Sequence, residues 1–198
     1  SAQNSRQLNA FKQARRILPM GQASLANSSG IFLGSKYHLD ITRPGVALYG
    51  LNPTPLRKNP MDQTITLKGR ILQIRDAKTG DTVGYNATHL VNKKSKIATV
   101  SVGYADGFLR SLSNNASGII DGISVPLIGR VSMDLSTFDV TAVPETKCRP
   151  GQFIELIGKN QSLDALANSA GTIGYEILTS LGRRYHRLYI GGAKCFQD

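Results

Sequence analysis

The sequence predicts a mostly β fold, either a sandwich or a partly closed barrel, preceded by a shorter segment that mixes helix and strand. Three observations support this prediction. Apolar residues alternate with other residues at Ile65, Leu67, Gly69 and Ile71, which is the period of a strand. Short strand-like runs then recur up to residue 157, separated by clusters of Gly, Asn, Asp and Pro. A proline-rich stretch at residues 52–60 marks the boundary between the two parts.

Local patterns predict the elements of the first part. Apolar residues recur at helical spacing over residues 4–18, and a proline ends the pattern. Residues 23–26 fit a short buried strand. Asn27 and the serines after it fit a loop or a helix start, because Asn and Ser side chains cap helix N-termini. Pro44 and Gly45 then indicate a turn or a loop.

The second part contains six predicted strands and two predicted helices. The strands are expected at residues 64–74, 97–102, 125–128, 136–140, 153–157 and 188–190. The helices are expected at residues 163–170 and 173–181. Gly182 is a candidate C-cap for the second helix.

Composition narrows the possible classes of protein. The chain has 198 residues and 40% hydrophobic content, enough for one large or two small cores. No apolar run approaches the roughly 20 residues that span a bilayer, and the polar start lacks a signal core. We therefore expect a cytoplasmic protein without a membrane partner. Cys148 and Cys195 lack C-x-x-C spacing, which favours free thiols but leaves a single disulfide open.

The formal net charge of +11 suits either a nucleic-acid partner or an anionic substrate. The basic residues are scattered, and the densest run, residues 93–96, fits a solvated turn. The sequence has no zinc-finger spacing and no aromatic-basic strand signature for RNA. We therefore expect no nucleic-acid partner.

Two Gly-Tyr pairs, Gly84-Tyr85 and Gly103-Tyr104, stand at the ends of strand-like runs. A glycine before an aromatic residue at a strand end indicates a bend or a close backbone approach. The two pairs could aim two phenols at one cavity, or they could be tyrosines packed at sheet corners. The local sequence alone favours the second interpretation.

Three further motifs each allow a functional and a structural interpretation. Ser28 with Gly45 suits a phosphate, since hydroxyl and backbone N–H groups bind anions, but a capping serine and a turn glycine look the same. Arg130 and Asp134 could form a buried ion pair or a substrate clamp. Tyr175, near a helix start, could reach an anion or pack between helix and sheet.

Six segments, in the expected order, together resemble the alanine racemase family. They are ANSSG at 26–30, RPGVALYG at 43–50, VGYNAT at 83–88, VGYADGFLR at 102–110, GRVSMD at 129–134 and GTIGYE at 171–176. The resemblance covers nearly the whole chain.

The resemblance implies a fold-type III pyridoxal 5'-phosphate (PLP) enzyme, with an N-terminal α/β barrel and a β-rich C-terminal domain, that forms a head-to-tail homodimer. Residues 1–50 then correspond to the last βα elements of an interrupted barrel, and residues 51–198 to the β-rich domain. The family's Schiff-base lysine lies in a K-A-N-A-Y-G-type motif that this chain lacks. We therefore expect a C-terminal fragment that does not racemise alanine by itself.

The resemblance also implies roles for residues around the substrate. Tyr85 matches the catalytic tyrosine that serves as acid or base on the L-alanine face. Met133 matches the residue whose backbone N–H holds the substrate carboxylate. Tyr104, Arg110 and Arg130 match residues that line the entrance channel of the substrate. A free phenol has a pKa near 10, so a tyrosine base requires nearby positive charge.

For the cofactor, the resemblance implies phosphate contacts from Ser28, Gly45, Val46 and Tyr175. Arg43 matches the partner of the pyridine nitrogen. Because an arginine stays charged, it would keep that nitrogen unprotonated and weaken the electron sink, which limits side reactions.

Alternatives remain open at this stage. A serine or broad-specificity racemase would share all these motifs, and a dimerising β module without catalysis would share the fold. The chain departs from residues common in the family at Asn86, His89 and Ser24. We expect these departures to adjust the properties of the site and not to change the type of reaction.

Overall fold

The computed structural model describes residues 1–54 and 56–191 and divides the chain into two compact units, residues 1–66 and 67–198. The helices are α1 (Ala2–Ile17), α2 (Ser28–Ile31), α3 (Leu163–Ala170) and α4 (Gly174–Ser180). The strands of the first unit are β1 (Ser24–Asn27) and β2 (Ile41–Arg43). Those of the second unit are β3 (Leu67–Ala77), β4 (Thr82–Val83), β5 (His89–Leu90), β6 (Ser95–Ser101), β7 (Ser117–Ile120), β8 (Ile123–Pro126), β9 (Ser136–Asp139) and β10 (Phe153–Ile157).

The first unit is a small α/β segment. β1 and β2 pair in parallel, and α2 begins directly after β1, where the Asn27 side chain caps it by accepting a hydrogen bond from Gly30 N at 3.0 Å. Its core is a cluster of Leu8, Ala26 and Tyr37. Of the apolar face predicted for α1, only Leu8 is buried, so this unit covers little of its apolar surface.

The second unit is built on a six-stranded antiparallel sheet in the order β8-β7-β10-β3-β6-β9. An antiparallel bridge between Leu127, just after β8, and Phe138 in β9 joins the two edges, so the sheet is nearly closed. Of the two alternatives predicted from the sequence, a sandwich and a partly closed barrel, the structure therefore has the second. Ile71, Ala98, Phe138 and Ile154 lie inside it with no exposed surface.

Two predictions about elements were wrong, and three strands were missed: β4, β5 and β7. Residues 188–190 form no strand, and their side chains are largely exposed. Gly182 is not left-handed; α4 ends at Ser180, and its C-cap is Leu181 in an extended conformation. The hairpin of β7 and β8 was only half predicted, because β7 is a four-residue strand that contains Gly118. That glycine makes room for Ile154, which a Cβ would approach to 2.5 Å.

Across the described residues, no helix is both long and apolar enough to cross a bilayer. The same residues contain no cluster of three or more His, Cys, Asp or Glu side chains that could hold a metal ion. Cys148 is buried as a free thiol, and burial raises its pKa; Cys195 lies outside the described residues.

Candidate active site

Both Gly-Tyr pairs contact one loop of the second unit, residues 129–135, which we call the docking loop. Gly84 follows β4 with a left-handed φ of 81°. A Cβ at Gly84 would lie 2.7 Å from the backbone nitrogen of Arg130 and 3.1 Å from Cα of Gly129. Only glycine allows this approach, which fixes the start of the Tyr85 turn against the docking loop.

Gly103 makes the same kind of contact at the other end of the docking loop. It lies just after β6, and a Cβ there would overlap the backbone carbonyls of Ser132 and Met133. Hydrogen bonds fix the contact: Tyr104 N donates to Ser132 O at 3.0 Å, and Ala105 N donates to Met133 O at 2.9 Å. The two tyrosines are therefore anchored on a single loop.

Neither tyrosine is packed as a sheet-corner residue. The side chain of Tyr85 is 71% exposed and that of Tyr104 is 43% exposed. The Tyr85 turn also contains two residues, Asn86 and Ala87, with φ values of 60° and 50°. Left-handed backbone at non-glycine residues is costly and often accompanies functional sites. These observations count against the interpretation of the two tyrosines as residues packed at sheet corners.

The docking loop is also held by two residues that were not predicted from the sequence, Ser113 and Asn114. Asn114 Oδ1 accepts a hydrogen bond from Gly129 N at 2.6 Å, and Ser113 Oγ accepts one from Val131 N at 3.0 Å. Ser113 Oγ also donates to the carbonyl of Arg110 at 2.6 Å, which ties the Arg110 turn to the loop. No local motif marks Ser113 or Asn114 for this role, because their partners lie 15 or more residues away.

The docking loop presents an unused hydrogen-bond donor. Among the described residues, nothing accepts a hydrogen bond from the Met133 N–H, and Met133 is 55% exposed. In the same part of the chain, the guanidinium groups of Arg110 and Arg130 form no ion pair. A free N–H on the loop that carries the unpaired Arg130, with Arg110 tied to that loop through Ser113, suits a carboxylate ligand.

Asp106 and Arg184, neither of which was predicted from the sequence, also contact this region. Asp106 Oδ2 accepts a hydrogen bond from Gly103 N at 2.9 Å. Arg184 contacts Asp106 and also Asp134, at 3.1 and 2.7 Å. The pKa of Arg184 is raised, mainly by its hydrogen bond to Asp134 and to a smaller extent by the negative charge of Asp106. Arg130 and Asp134, expected as an ion pair or a clamp, are not paired with each other.

In the first unit, Ser28 and Gly45 stand at the carboxyl ends of two parallel strands. Asn27 in β1 pairs with Arg43 in β2, so the residues that follow each strand share one edge. Ligands of α/β folds bind at this edge. Ser28 Oγ is buried and accepts hydrogen bonds from Gly45 N at 2.8 Å and from Ala47 N at 3.2 Å.

These contacts leave donors for an anion. A hydroxyl has two lone pairs and one hydrogen, so Ser28 with both lone pairs engaged has its hydrogen free to donate. The Val46 N–H meets no acceptor within residues 1–54 and 56–191. Arg43 is held nearby, since Nη1 donates to Ser24 Oγ at 2.7 Å and Nη2 to Leu25 O at 3.3 Å.

Comparison with known proteins identifies the family. The model of the alanine racemase C-terminal domain matches residues 64–189, and that of the alanine racemase N-terminal domain matches residues 1–53. The chain belongs to the alanine racemase family. The fold class expected from the sequence, a mostly β domain preceded by the last βα elements of an α/β barrel, is thereby confirmed.

The relatives are similar over nearly the whole chain. Alanine racemase from Rhodospirillum rubrum is 55% identical over 188 residues, which cover 95% of this chain and 50% of the relative. The crystal structure of alanine racemase from Bartonella henselae with covalently bound pyridoxal phosphate is 41% identical. It has a TM-score of 0.90 and matches 96% of this chain and 53% of that one. This chain thus spans about half the length of the alanine racemases it matches.

The residues predicted for the site fall into two sets. The second unit contains Tyr85, Tyr104, Arg110, Arg130 and Met133, all in or tied to the docking loop. Tyr175 belongs to the same unit and begins α4 with a side chain that is 40% exposed. The first unit contains Ser28, Arg43, Gly45 and Val46. The role of each residue remains a prediction.

Proposed function

We propose that the protein containing this chain interconverts L-alanine and D-alanine with PLP as its cofactor. One observation carries the proposal more than any other. Tyr85 and the free N–H of Met133 are fixed to the same loop, the first through the contact of Gly84 with Arg130 and Gly129. A racemase of α-amino acids needs a proton-transfer group and a carboxylate-binding group held in fixed positions, and here both are held by contacts with one loop.

The substrate would bind through its carboxylate to the Met133 N–H. The Tyr85 phenol would then exchange a proton at Cα on one face of the substrate. A base is also required on the opposite face, and by family resemblance a lysine from a region outside this chain would supply it. Arg110 and Arg130 would attract the anionic group along the entrance channel, where Tyr104 also lies.

The first unit fits the phosphate of PLP. The free hydrogen of Ser28, the Val46 N–H and the missing side chain at Gly45 provide donors and space for an anion. Tyr175 is proposed as a further phosphate contact. Arg43, held by Ser24 and Leu25, would face the pyridine nitrogen. The bound cofactor would supply the electron sink that makes the Cα proton acidic.

We further propose the domain assignment that follows from the resemblance: residues 1–50 as the end of the PLP-binding barrel and residues 51–198 as the C-terminal domain. The compact units divide at Thr66 and Leu67. Between Tyr49 and Leu67 the described residues form no helix or strand, which supports their role as a connection.

A head-to-tail homodimer is also proposed. Tyr85, Tyr104, Met133 and Leu135 are all more than a third exposed in the single chain. Exposed aromatic and apolar side chains on the docking loop and on the two turns that contact it favour cover by another surface. By family resemblance, that surface belongs to the second subunit. We propose the cytoplasm as the location and peptidoglycan as the destination of the D-alanine product.

The test is D-alanine formation from L-alanine in the presence of PLP. We expect no activity from this chain alone and activity when it is combined with an N-terminal half that carries the lysine. L-serine as a competing substrate distinguishes an alanine racemase from a broad-specificity enzyme. Activity of this chain alone would mean that a lysine within it has replaced the missing one, and an inactive mixture would count against the proposed reaction.

A further inference from the structure

The segment that follows α4 contacts both the Tyr104 turn and the docking loop. Gly182 N donates to the carbonyl of Asp106 at 3.2 Å. A Cβ on Gly107 would overlap the carbonyl of Ser180, so the two backbones touch. Arg187 Nη2 bonds to Gly182 O at 3.1 Å. The residues leading to Arg184 are therefore fixed on the turn that follows Tyr104.

From this position Arg184 links two carboxylates. Its Nε lies 3.1 Å from Asp106 Oδ1, and its Nη1 lies 2.7 Å from Asp134 Oδ1. A guanidinium can make both contacts at once because its donors point in different directions. Asp106 belongs to the Tyr104 turn and Asp134 to the docking loop, so Arg184 connects the two elements.

Asp106 links Arg184 to the backbone of the Tyr104 turn. Its side chain is only 10% exposed. Its second oxygen, Oδ2, accepts the hydrogen bond from Gly103 N at 2.9 Å. Arg184 thus fixes the carboxylate that holds Gly103, the glycine that presses on the carbonyl of Met133.

Asp134 is the direct neighbour of Met133, whose carbonyl is already held by Ala105 N. The peptide that carries the Met133 N–H has Ser132 O as its carbonyl, and Tyr104 N donates to that oxygen at 3.0 Å. Hydrogen bonds thus hold the carbonyls of both peptides that flank Met133, and an ion pair holds Asp134, which leaves the Met133 N–H little freedom to turn. That N–H is the donor without an acceptor in the described part of the chain.

We propose that Arg184 is a positioning residue for the reaction: it bridges Asp106 and Asp134 and thereby aims the Met133 N–H at the substrate carboxylate. This proposal rests on the proposed function. The side chains of Arg184 and Asp134 are 53% and 52% exposed, so solvent screens this ion pair and it contributes little to stability. The role proposed for Arg184 is geometric. Here the two carboxylates belong to the two elements that meet at the candidate site.

The neighbours of Arg184 provide matched controls. Arg183 is exposed and forms no ion pair among the described residues, so Arg183→Ala removes the same charge without the bridge. The Tyr185 hydroxyl is buried and has no hydrogen-bond partner in the same residues. Burial and the charge of Asp106 raise its pKa, so the phenol stays neutral, and Tyr185→Phe removes a group that holds nothing.

The experiment uses the PLP-loaded enzyme that contains this chain together with its N-terminal half. Arg184→Ala should raise KM for alanine more than it lowers kcat, because carboxylate binding is used in both the ground and the transition state. Displacing a binding group by about 1 Å costs up to about 100-fold, so we expect kcat/KM to fall about 10- to 100-fold. The inhibition constant of acetate, a carboxylate probe, should rise with KM.

The same variants separate positioning from stability. The KM of Arg184→Lys should lie between those of wild type and Arg184→Ala. An ammonium group keeps the charge but lacks the planar set of donors with which a guanidinium can contact two carboxylates. Arg184→Ala and Asp134→Asn should be non-additive in a double-mutant cycle. Amide hydrogen exchange over residues 103–106 and 132–135 should quicken in Arg184→Ala but not in Arg183→Ala or Tyr185→Phe.

Two results would overturn the proposal. One is an Arg184→Ala enzyme whose KM and acetate inhibition constant equal those of wild type. The other is a fall in kcat/KM in Arg183→Ala as large as that in Arg184→Ala. If Arg184→Ala does not fold, Arg184→Lys and Asp134→Asn provide the same measurements, and their wild-type KM would overturn it too. An inactive wild-type enzyme would instead contradict the proposed function, and hydrogen exchange would still report whether Arg184 orders the loop.

Discussion

At the scale of single residues, glycines determine where the two tyrosines stand. Gly103 has an extended φ of −152°, so any residue could adopt its backbone conformation. What excludes a side chain is space, because a Cβ would overlap the carbonyls of Ser132 and Met133. The conservative change to alanine therefore tests the close approach of two backbones by itself.

We expect Gly103→Ala to lower the free energy of unfolding by about 1–3 kcal/mol, the usual cost of overpacking, and to reduce racemase activity by displacing the docking loop. Gly122→Ala is the control. Gly122 is left-handed with a φ of 80° but has nothing within 4 Å of a Cβ, so it should cost about 1–2 kcal/mol with kinetics intact. Urea unfolding and initial rates measure both. Unchanged kinetics in Gly103→Ala would show that the contact does not order the site.

Tyr85 is the residue on which the proposed chemistry depends most directly. Tyr85→Phe keeps the ring and removes only the hydroxyl, so the fold and melting temperature should not change. Loss of a general acid or base costs about 100- to 10,000-fold in rate, and we expect kcat to fall by that amount. Tyr189→Phe, at a side chain that is 86% exposed, should have no effect. Near-normal turnover of Tyr85→Phe would exclude it as the base.

At the scale of elements, the sequence predicted strands and helices well where periodicity and caps act locally. α3 was expected at residues 163–170 and occupies those residues, because Ser162 caps its start and Gly171 ends it with a φ of 71°. The predicted strand at 188–190 was wrong, since a short apolar run without a pairing partner does not form a strand.

The contacts of the candidate site could be predicted only in part. Gly84 and Gly103 signalled close backbone approaches, but the sequence did not show that both approach the same loop. Arg184 bridges residues 78 and 50 positions away in the chain. An ion pair between such distant residues leaves no pattern in the local sequence, so it could be identified only once the fold was known.

The cap of α3 provides a test at this scale. Ser162 Oγ accepts a hydrogen bond from Ala165 N at 3.1 Å. Ser162→Ala should lower the free energy of unfolding by about 1 kcal/mol, the usual value of an N-cap. Ser162→Asp keeps a side-chain acceptor for Ala165 N, so its free energy of unfolding should equal that of wild type. Urea unfolding followed by circular dichroism measures both, and equal stability of the two variants would show that the cap contributes nothing.

At the scale of the whole molecule, the two units differ in how much apolar surface they bury. The core cluster of the first unit has three buried residues, while Ile17, Met20 and Leu48 are more than 60% exposed. The second unit encloses a nearly closed sheet with many side chains wholly buried. Since hydrophobic burial is the main force in folding, the second unit should be the more stable of the two.

Limited proteolysis tests this difference. Arg57 and Lys58 are exposed and lie where the described chain has no helix or strand, which is where proteases cut. Trypsin should cleave there first, and the C-terminal product should keep a cooperative thermal transition. Changing both residues to glutamine should remove this first cut. A first cut inside residues 67–157, or a product without a transition, would mean that the sheet depends on the first unit for its stability.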